Sequence, residues 1–307
     1  MIDYIRHHRD EFGVEPICRV LSEHGCPIAP STFYDNISRP PSKRALRDEQ
    51  IIALIEAERA ANRFVAGLGA RKMWLRLRSK GHDVARCTIE RLMAQMGITG
   101  VVRTRRAPRT TIADPAAARP SDLVDRQFHA SRPNQLWVAD FTYCPTWTGM
   151  VYVAFVFDVF SRRILGWRVA TSMTTPLVLD CLEQAIWTRG KEGISDLAGL
   201  VHHTDAGSQY TSIAFTDRLV EAGIDASVGS VGDAYDNALA ESQIGLFKSE
   251  LIHPHGPWHD SDHLEAAVLD WVSWFNTDRP HESIDDLTPV QVEQLHYRYR
   301  ANLAEAG

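Results

Sequence analysis

The sequence predicts a mixed α/β layer fold preceded by an α-helical, helix-turn-helix region. Three observations carry that expectation. From Gln135 onward, strand-like and helix-like runs alternate in the order βββαβαβα. Upstream, two glycine-turned helix pairs share one plan. The charge also changes sign: residues 1–133 hold 23 Lys+Arg against 15 Asp+Glu, a net of +8, whereas residues 134–307 hold 10 against 24, a net of −14. A basic front half suits a polyanionic partner such as DNA, and an acidic back half repels DNA unless some of its carboxylates hold metal ions. Chance clustering of charge is the competing explanation.

We divide the chain into an N-terminal helix-turn-helix-like segment (1–45), a basic helix-turn-helix domain (46–101), a basic Pro/Ala linker (102–133), a core with C-terminal helices (134–296) and a tail (297–307). In the first segment, residues 14–24 read as a helix ending near Gly25, with a second helix from Ser31. Asp48–Asn62 is a further helix. Residues 70–80 and Val84–Met96 repeat the first plan 56 positions on, so that Leu21 falls on Leu77, Gly25 on Gly81 and Thr32 on Thr88. A glycine-turned helix pair of this kind can place its second helix in a DNA groove. Arg71 and Lys72 load the first helix of the second pair, and Arg86 and Arg91 the second. The linker adds Arg103, Arg105, Arg106 and Arg109. DNA-backbone contact and a plain solvated charge both fit these arginines.

In the core, Leu136–Cys144 is the first strand, and the apolar run Met150–Phe160 suits a strand buried on both faces. Arg163–Ala170, Leu200–Thr204 and Ile224–Val228 complete five strands. Thr174–Arg189 and Phe215–Ala222 are the intervening helices. In the helix that follows, Ala240, Ile244, Phe247 and Leu251 form a core stripe. Asn237, Glu241 and Lys248 share an adjacent stripe about 100° round the axis. Two strand-end aspartates, Asp140 and Asp205, and a helix glutamate, Glu241, with 35 residues between it and Asp205, are what a divalent-metal site on such a sheet requires. Taken singly, each acid is ordinary solvated surface. Lys248, two turns past Glu241, is too far for a direct ion pair and suits a phosphate contact.

Five cysteines without a Cys-x-x-Cys pair argue against a disulfide framework or a zinc finger. The longest purely apolar run, Met150–Phe157, is far short of a membrane span. We therefore expect a cytoplasmic protein without a membrane partner. His202 and His203 lie on one strand and point to opposite faces, so packing or outer-shell hydrogen bonding suits them better than ligation of one ion. Tyr143, Tyr210 and Tyr235 flank the carboxylates and read as aromatic packing; Trp271, Trp274 and Phe275 read as a core stripe.

With these residues in place, the chain resembles the second-frame (OrfB-type) transposases of bacterial insertion sequences, in the DDE transposase and retroviral-integrase superfamily. The resemblance rests on Asn134–Tyr143, Asp158–Trp167, His202–Tyr210, Tyr235–Leu251, Phe275-Asn276 with Arg279-Pro280-His281 and Thr288-Pro289, and the basic stretch Gly67–Gly100. It implies an RNase H-like mixed sheet, the integrase catalytic core, with Asp140, Asp205 and Glu241 as the catalytic, metal-binding triad. It also implies two Mg²⁺ (or Mn²⁺) ions, Asp140 bridging them and Asp205 and Glu241 holding one each. Lys248 matches the family's basic residue that contacts the element end. Ala206 departs from the arginine that often follows the second aspartate. The implied reaction is metal-dependent DNA cleavage and strand transfer by a DNA 3′-hydroxyl. Implied partners are element-end and target DNA, further copies of the chain on DNA, and a first-frame (OrfA-type) protein or a frameshift fusion to one. An RNase H-like nuclease without strand transfer and a non-catalytic DNA-binding regulator are the alternatives.

Overall fold

Glycine decides where the first helices stop. Helix α1 (Ile2–Phe12) ends at Gly13, whose φ of 78° few other residues adopt. Helices α2 (Val14–Glu23) and α3 (Pro30–Ser38) follow, with Ile5, Val14, Ile17, Cys18 and Phe33 as their small common core. The second pair of this plan is α5 (Ala70–Ser79) and α6 (Arg86–Gln95), after the longer α4 (Lys43–Ala61). Met73, Leu77, Ile89, Leu92 and Met93 are its buried face. The computed structural model describes residues 1–101, 123–124, 128–205, 207, 209–229 and 238–306. They form two units, Met1–Ala57 and Glu58–Gly307. Asn237, Ala206, Tyr235 and the linker arginines Arg103, Arg105, Arg106 and Arg109 lie outside the described residues. No described helix is long and apolar enough to cross a membrane.

Five strands form one sheet in the order β3-β2-β1-β4-β5: β1 (Leu136–Thr146), β2 (Gly149–Asp158), β3 (Ile164–Ala170), β4 (Val201–Thr204) and β5 (Asp225–Val228). The first three pair antiparallel; β4 joins β1 and β5 in parallel. Parallel pairing needs crossovers, and α7 (Thr175–Lys191) and α8 (Ile213–Glu221) supply them. Trp137, Ala139, Leu182 and Phe215 belong to the core under these two helices. Helix α7 approaches so closely that a Cβ on Gly166 would fall 2.1 Å from the Cys181 carbonyl oxygen, so no side chain fits there.

The opposite face is aromatic. Phe155 of β2 meets Phe247 of α9 (Ala238–Phe247) edge-on, with ring centres 5.0 Å apart. Both rings meet Trp271 of α11 (Ser261–Thr277), which follows a π-helical turn (Lys248–Ile252) and the single turn α10 (His253–His255). The amide of Asn276 covers part of the β3 edge: Ile164 N donates to its Oδ1 at 3.0 Å, and its Nδ2 donates to Ile164 O at 2.9 Å. Unpaired strand edges invite foreign strands, and this side chain occupies one.

The last helix, α12 (Pro289–Ala306), continues through the residues expected to form a tail. It is joined to the sheet by a buried ionic network. Glu293 accepts from Arg189 at 2.6 and 2.9 Å, from Arg163 at 2.5 Å and from Ser161 at 2.8 Å. Asp158 accepts from Ser161 and from the Asn134 backbone, and Asn134 in turn accepts from Arg189. Burial alone would raise Glu293, but the two arginines outweigh it and hold the carboxyl below its usual value. A carboxylate lowered in the folded state stabilises above its unfolded pKa, and that stability is lost as pH falls. Glu293→Gln is therefore expected to cost about 3–5 kcal/mol at neutral pH, because it leaves buried arginine charge unpaired. Chemical denaturation at a series of pH values checks this: the deficit should shrink once pH drops below the ordinary glutamate value.

Candidate active site

Asp140 is the fifth residue of the eleven-residue strand β1, so it does not end its strand as the sequence suggested. What ends there is the pairing with β4, whose last partners are Ala139 and Thr204. Asp205 is the first residue past β4 and stands beside Asp140, since neighbouring strands run about 4.8 Å apart. Paired positions share a face of the sheet, which puts both aspartates on the side of Phe155, the antiparallel partner of Asp140. Helix α9 lies on that side through the contact of Phe247 with Phe155. Ala240, Ile244 and Phe247 face the core, and Glu241, one position round from Ala240, is turned outward beside it. The fold thus brings the three sequence-distant acids to one side of one sheet.

Their electrostatics register this proximity. Burial, then the charges of Asp205 and Glu241, push Asp140 well above the usual carboxylate range, against the Phe141 N–H at 2.7 Å and the charge of Lys248. Burial raises Asp205, with the Gly207 N–H and His203 opposing. Glu241 is raised by burial and by Asp205. One oxygen of Asp205, Oδ1, is buried with no hydrogen-bond partner. Among the described residues, no three His, Cys, Asp or Glu side chains close on one point as a ready cage for a single ion. An all-oxygen set with an orphaned buried acceptor and mutual repulsion nevertheless fits hard divalent cations, which commonly take only one or two carboxylates each.

Lys248 opens the π-helical turn, and its ammonium lies 5.1 Å from the centre of the Tyr143 ring. Tyr143 is 55% exposed, so the packing role expected of it does not hold. Tyr210 does pack, buried against Phe141 and Phe215. His202 and His203 point to opposite faces as expected. The His202 ring meets Phe215 and is pushed down to about 3 by burial and the neighbouring His203, which keeps it neutral. His203 shares the aspartates' side and bonds Ser227 Oγ at 2.8 Å.

The basic residues divide into two groups. Arg86 and Arg91 lie on α6, Arg86 exposed and paired with Glu90, Arg91 bonded to Gln95. Arg71 and Lys72 are drawn inward: Arg71 binds Asp286 at 2.6 Å, and Lys72 is pushed down to about 8 by burial and Arg279. Sequence reasoning did not single out Glu250 or Glu293 or assign Arg189 a role, because buried ion pairs leave no periodic trace.

Family models match in three places: an HTH-like domain over residues 45–106, and integrase core domains over 130–234 and 222–289. The chain is 56% identical over 274 residues to the transposase for insertion sequence element IS986/IS6110 of Mycobacterium tuberculosis, covering 89% of this chain and 98% of that one. It is 48% identical over 294 residues to the transposase for insertion sequence element IS629 of Shigella sonnei, covering 94% of each. The HTLV-2 integrase catalytic core domain aligns at 19% identity with a TM-score of 0.41, over 54% of this chain and 99% of that one. With more than half its residues shared across nearly the full length of the mycobacterial relative, the chain belongs to the insertion-sequence transposases that carry an integrase core.

Proposed function

We propose that this transposase cleaves and rejoins DNA by metal-dependent phosphoryl transfer, with Asp140, Asp205 and Glu241 as the metal-binding carboxylates. The observation that carries the proposal is the register that sets Asp205 beside Asp140 on the face covered by α9. Two Mg²⁺ or Mn²⁺ ions bound there would activate an attacking oxygen and stabilise the leaving oxygen of an in-line displacement. Asp140, Asp205 and Glu241 would hold these ions together, Asp140 and Asp205 from neighbouring positions of the sheet and Glu241 from α9. Lys248 holds a backbone phosphate of the DNA as a point charge, and Arg86 and Arg91 of α6 hold the duplex. Water serves for cleavage and a DNA 3′-hydroxyl for joining, so the protein forms no covalent bond to DNA. Paired element ends imply more than one copy of the chain on DNA.

The decisive assay supplies the terminus of the insertion sequence with Mg²⁺ or Mn²⁺ and looks for joined product. Wild type should join ends; Glu241→Gln should bind the same DNA and leave it unreacted. Equal activity in that variant would remove Glu241 from the site, and hydrolysis without joining would favour a nuclease of the same fold.

The repulsion at the site has a separate signature. A carboxyl raised in the folded state stabilises fully below its unfolded pKa and loses that contribution as pH climbs to the raised value. At neutral pH the carboxyl of Asp140 therefore costs the metal-free protein stability that it does not cost in acid. Asp140→Asn should raise its melting temperature at pH 7, the gain vanishing in acid, while abolishing joining; an unchanged or lower melting point at pH 7 would contradict this electrostatic account. For α6, replacing Arg86 and Arg91 by glutamine should weaken DNA binding and flatten its salt dependence by about 0.9 per lost phosphate contact. An unchanged slope would return α6 to a packing role.

A further inference from the structure

The π-helical turn that begins at Lys248 is held by a buried clamp. A π turn is wider than an α turn: the His253 N–H reaches back five residues to the Lys248 carbonyl. Glu250, in the middle of the turn, meets Arg279 through a two-pronged pair. Arg279 Nε donates to Glu250 Oε1 at 3.0 Å and Oε2 at 2.9 Å, and Nη2 donates to Oε1 at 2.6 Å. Both side chains are enclosed, at 4% and 15% exposure.

Arg279 is itself immobilised. Its guanidinium lies 6.0 Å from the Trp274 ring centre and 5.6 Å from that of Phe275. Nη1 donates to His281 Nδ1 at 3.2 Å, and His281 Nε2 donates to the Phe275 carbonyl at 3.1 Å. That tautomer requires a neutral imidazole. Burial and Arg279 provide one, lowering His281 to about 3. A chain of fixed bonds therefore runs from the Phe275 backbone through His281, Arg279 and Glu250 into the turn. Lysine has a long stem with many rotamers, so the direction of its ammonium depends on its backbone anchor and its neighbours. For Lys248 the neighbour is the Tyr143 ring, three residues past Asp140.

We propose that Glu250 and Arg279 are positioning residues for DNA: their pair sets the π-helical turn so that the Lys248 ammonium is aimed at a backbone phosphate beside Asp140. This rests on the reading that Lys248 contacts DNA. A pair that merely fastened α9 to the segment after α11 would contribute to stability and leave DNA contacts alone. The two roles separate in the salt dependence of binding, which counts phosphate contacts and does not follow melting temperature.

The test measures binding of the full chain to a duplex of the insertion-sequence terminus that flanks its own coding sequence, over a series of salt concentrations, with melting temperatures alongside. The proteins are wild type, Lys248→Ala, Glu250→Gln, Arg279→Lys and the double variant Lys248→Ala/Glu250→Gln. Arg279→Lys keeps the charge and loses the fork, and it gives the same comparison should Glu250→Gln fail to fold. Each single variant should flatten the slope by about 0.9, one phosphate contact, and the double variant no further. A wild-type slope in Glu250→Gln or Arg279→Lys would overturn the proposal, as would an additive double variant. A wild-type slope in Lys248→Ala would instead remove the phosphate contact itself, and the positioning role with it.

Discussion

Two aspartates held side by side on neighbouring strands repel each other, and the fold keeps them there. At strand spacing and an effective dielectric constant near 20, two such charges repel by about 3 kcal/mol. The parallel register between β1 and β4 leaves neither residue room to retreat, because Ala139 and Thr204 immediately before them are locked as partners. Phe155, Phe247 and Trp271 then close over the same face and bring Glu241 into the field. The opposing stabilisation comes from this aromatic cluster and from the sealed core under α7 and α8. A site of this kind is a local cost carried by the rest of the molecule, and it accounts for carboxylates that would otherwise be placed more comfortably in water.

Periodic features of the chain are legible in its sequence. The stripe Ala240, Ile244, Phe247 and Leu251 is buried as its spacing predicts, and the strand and helix order of the core is the one expected. Three features are not legible, each for a physical reason. Asp140 reads as a strand end because an acid interrupts an apolar run; β1 continues because its other edge remains paired to β2 through Thr146. Helix α1 has only Ile5 fully buried, too little apolar signal to declare itself. The π-helical turn interrupts a pattern that reads as regular helix through Leu251, since one wide turn leaves the hydrophobic spacing nearly unchanged.

Ionic burial is the other blind spot. Asp158, Arg189 and Glu293 are far apart in sequence, and each alone resembles surface charge. Their burial becomes sensible only as a set in which every carboxylate has a donor. The same holds for Glu250 and Arg279. Arg279 stands just past the end of α11, so the start of an irregular stretch ties that helix to the π-helical turn after α9.

The attachment of the α5–α6 hairpin has a consequence of a different kind. Phe64, before α5, meets Trp274 of α11 with ring centres 5.2 Å apart, and the pairs Arg63–Asp270, Arg71–Asp286 and Arg76–Asp278 join the same part of the chain to α11 and the residues after it. The more exposed of these pairs, Arg63–Asp270 and Arg71–Asp286, weaken as ionic strength rises, whereas the aromatic contact does not. The hairpin is therefore fastened by two kinds of joint, an aromatic one indifferent to salt and an ionic one that salt loosens, so its grip at high ionic strength falls to what the aromatic contact sustains.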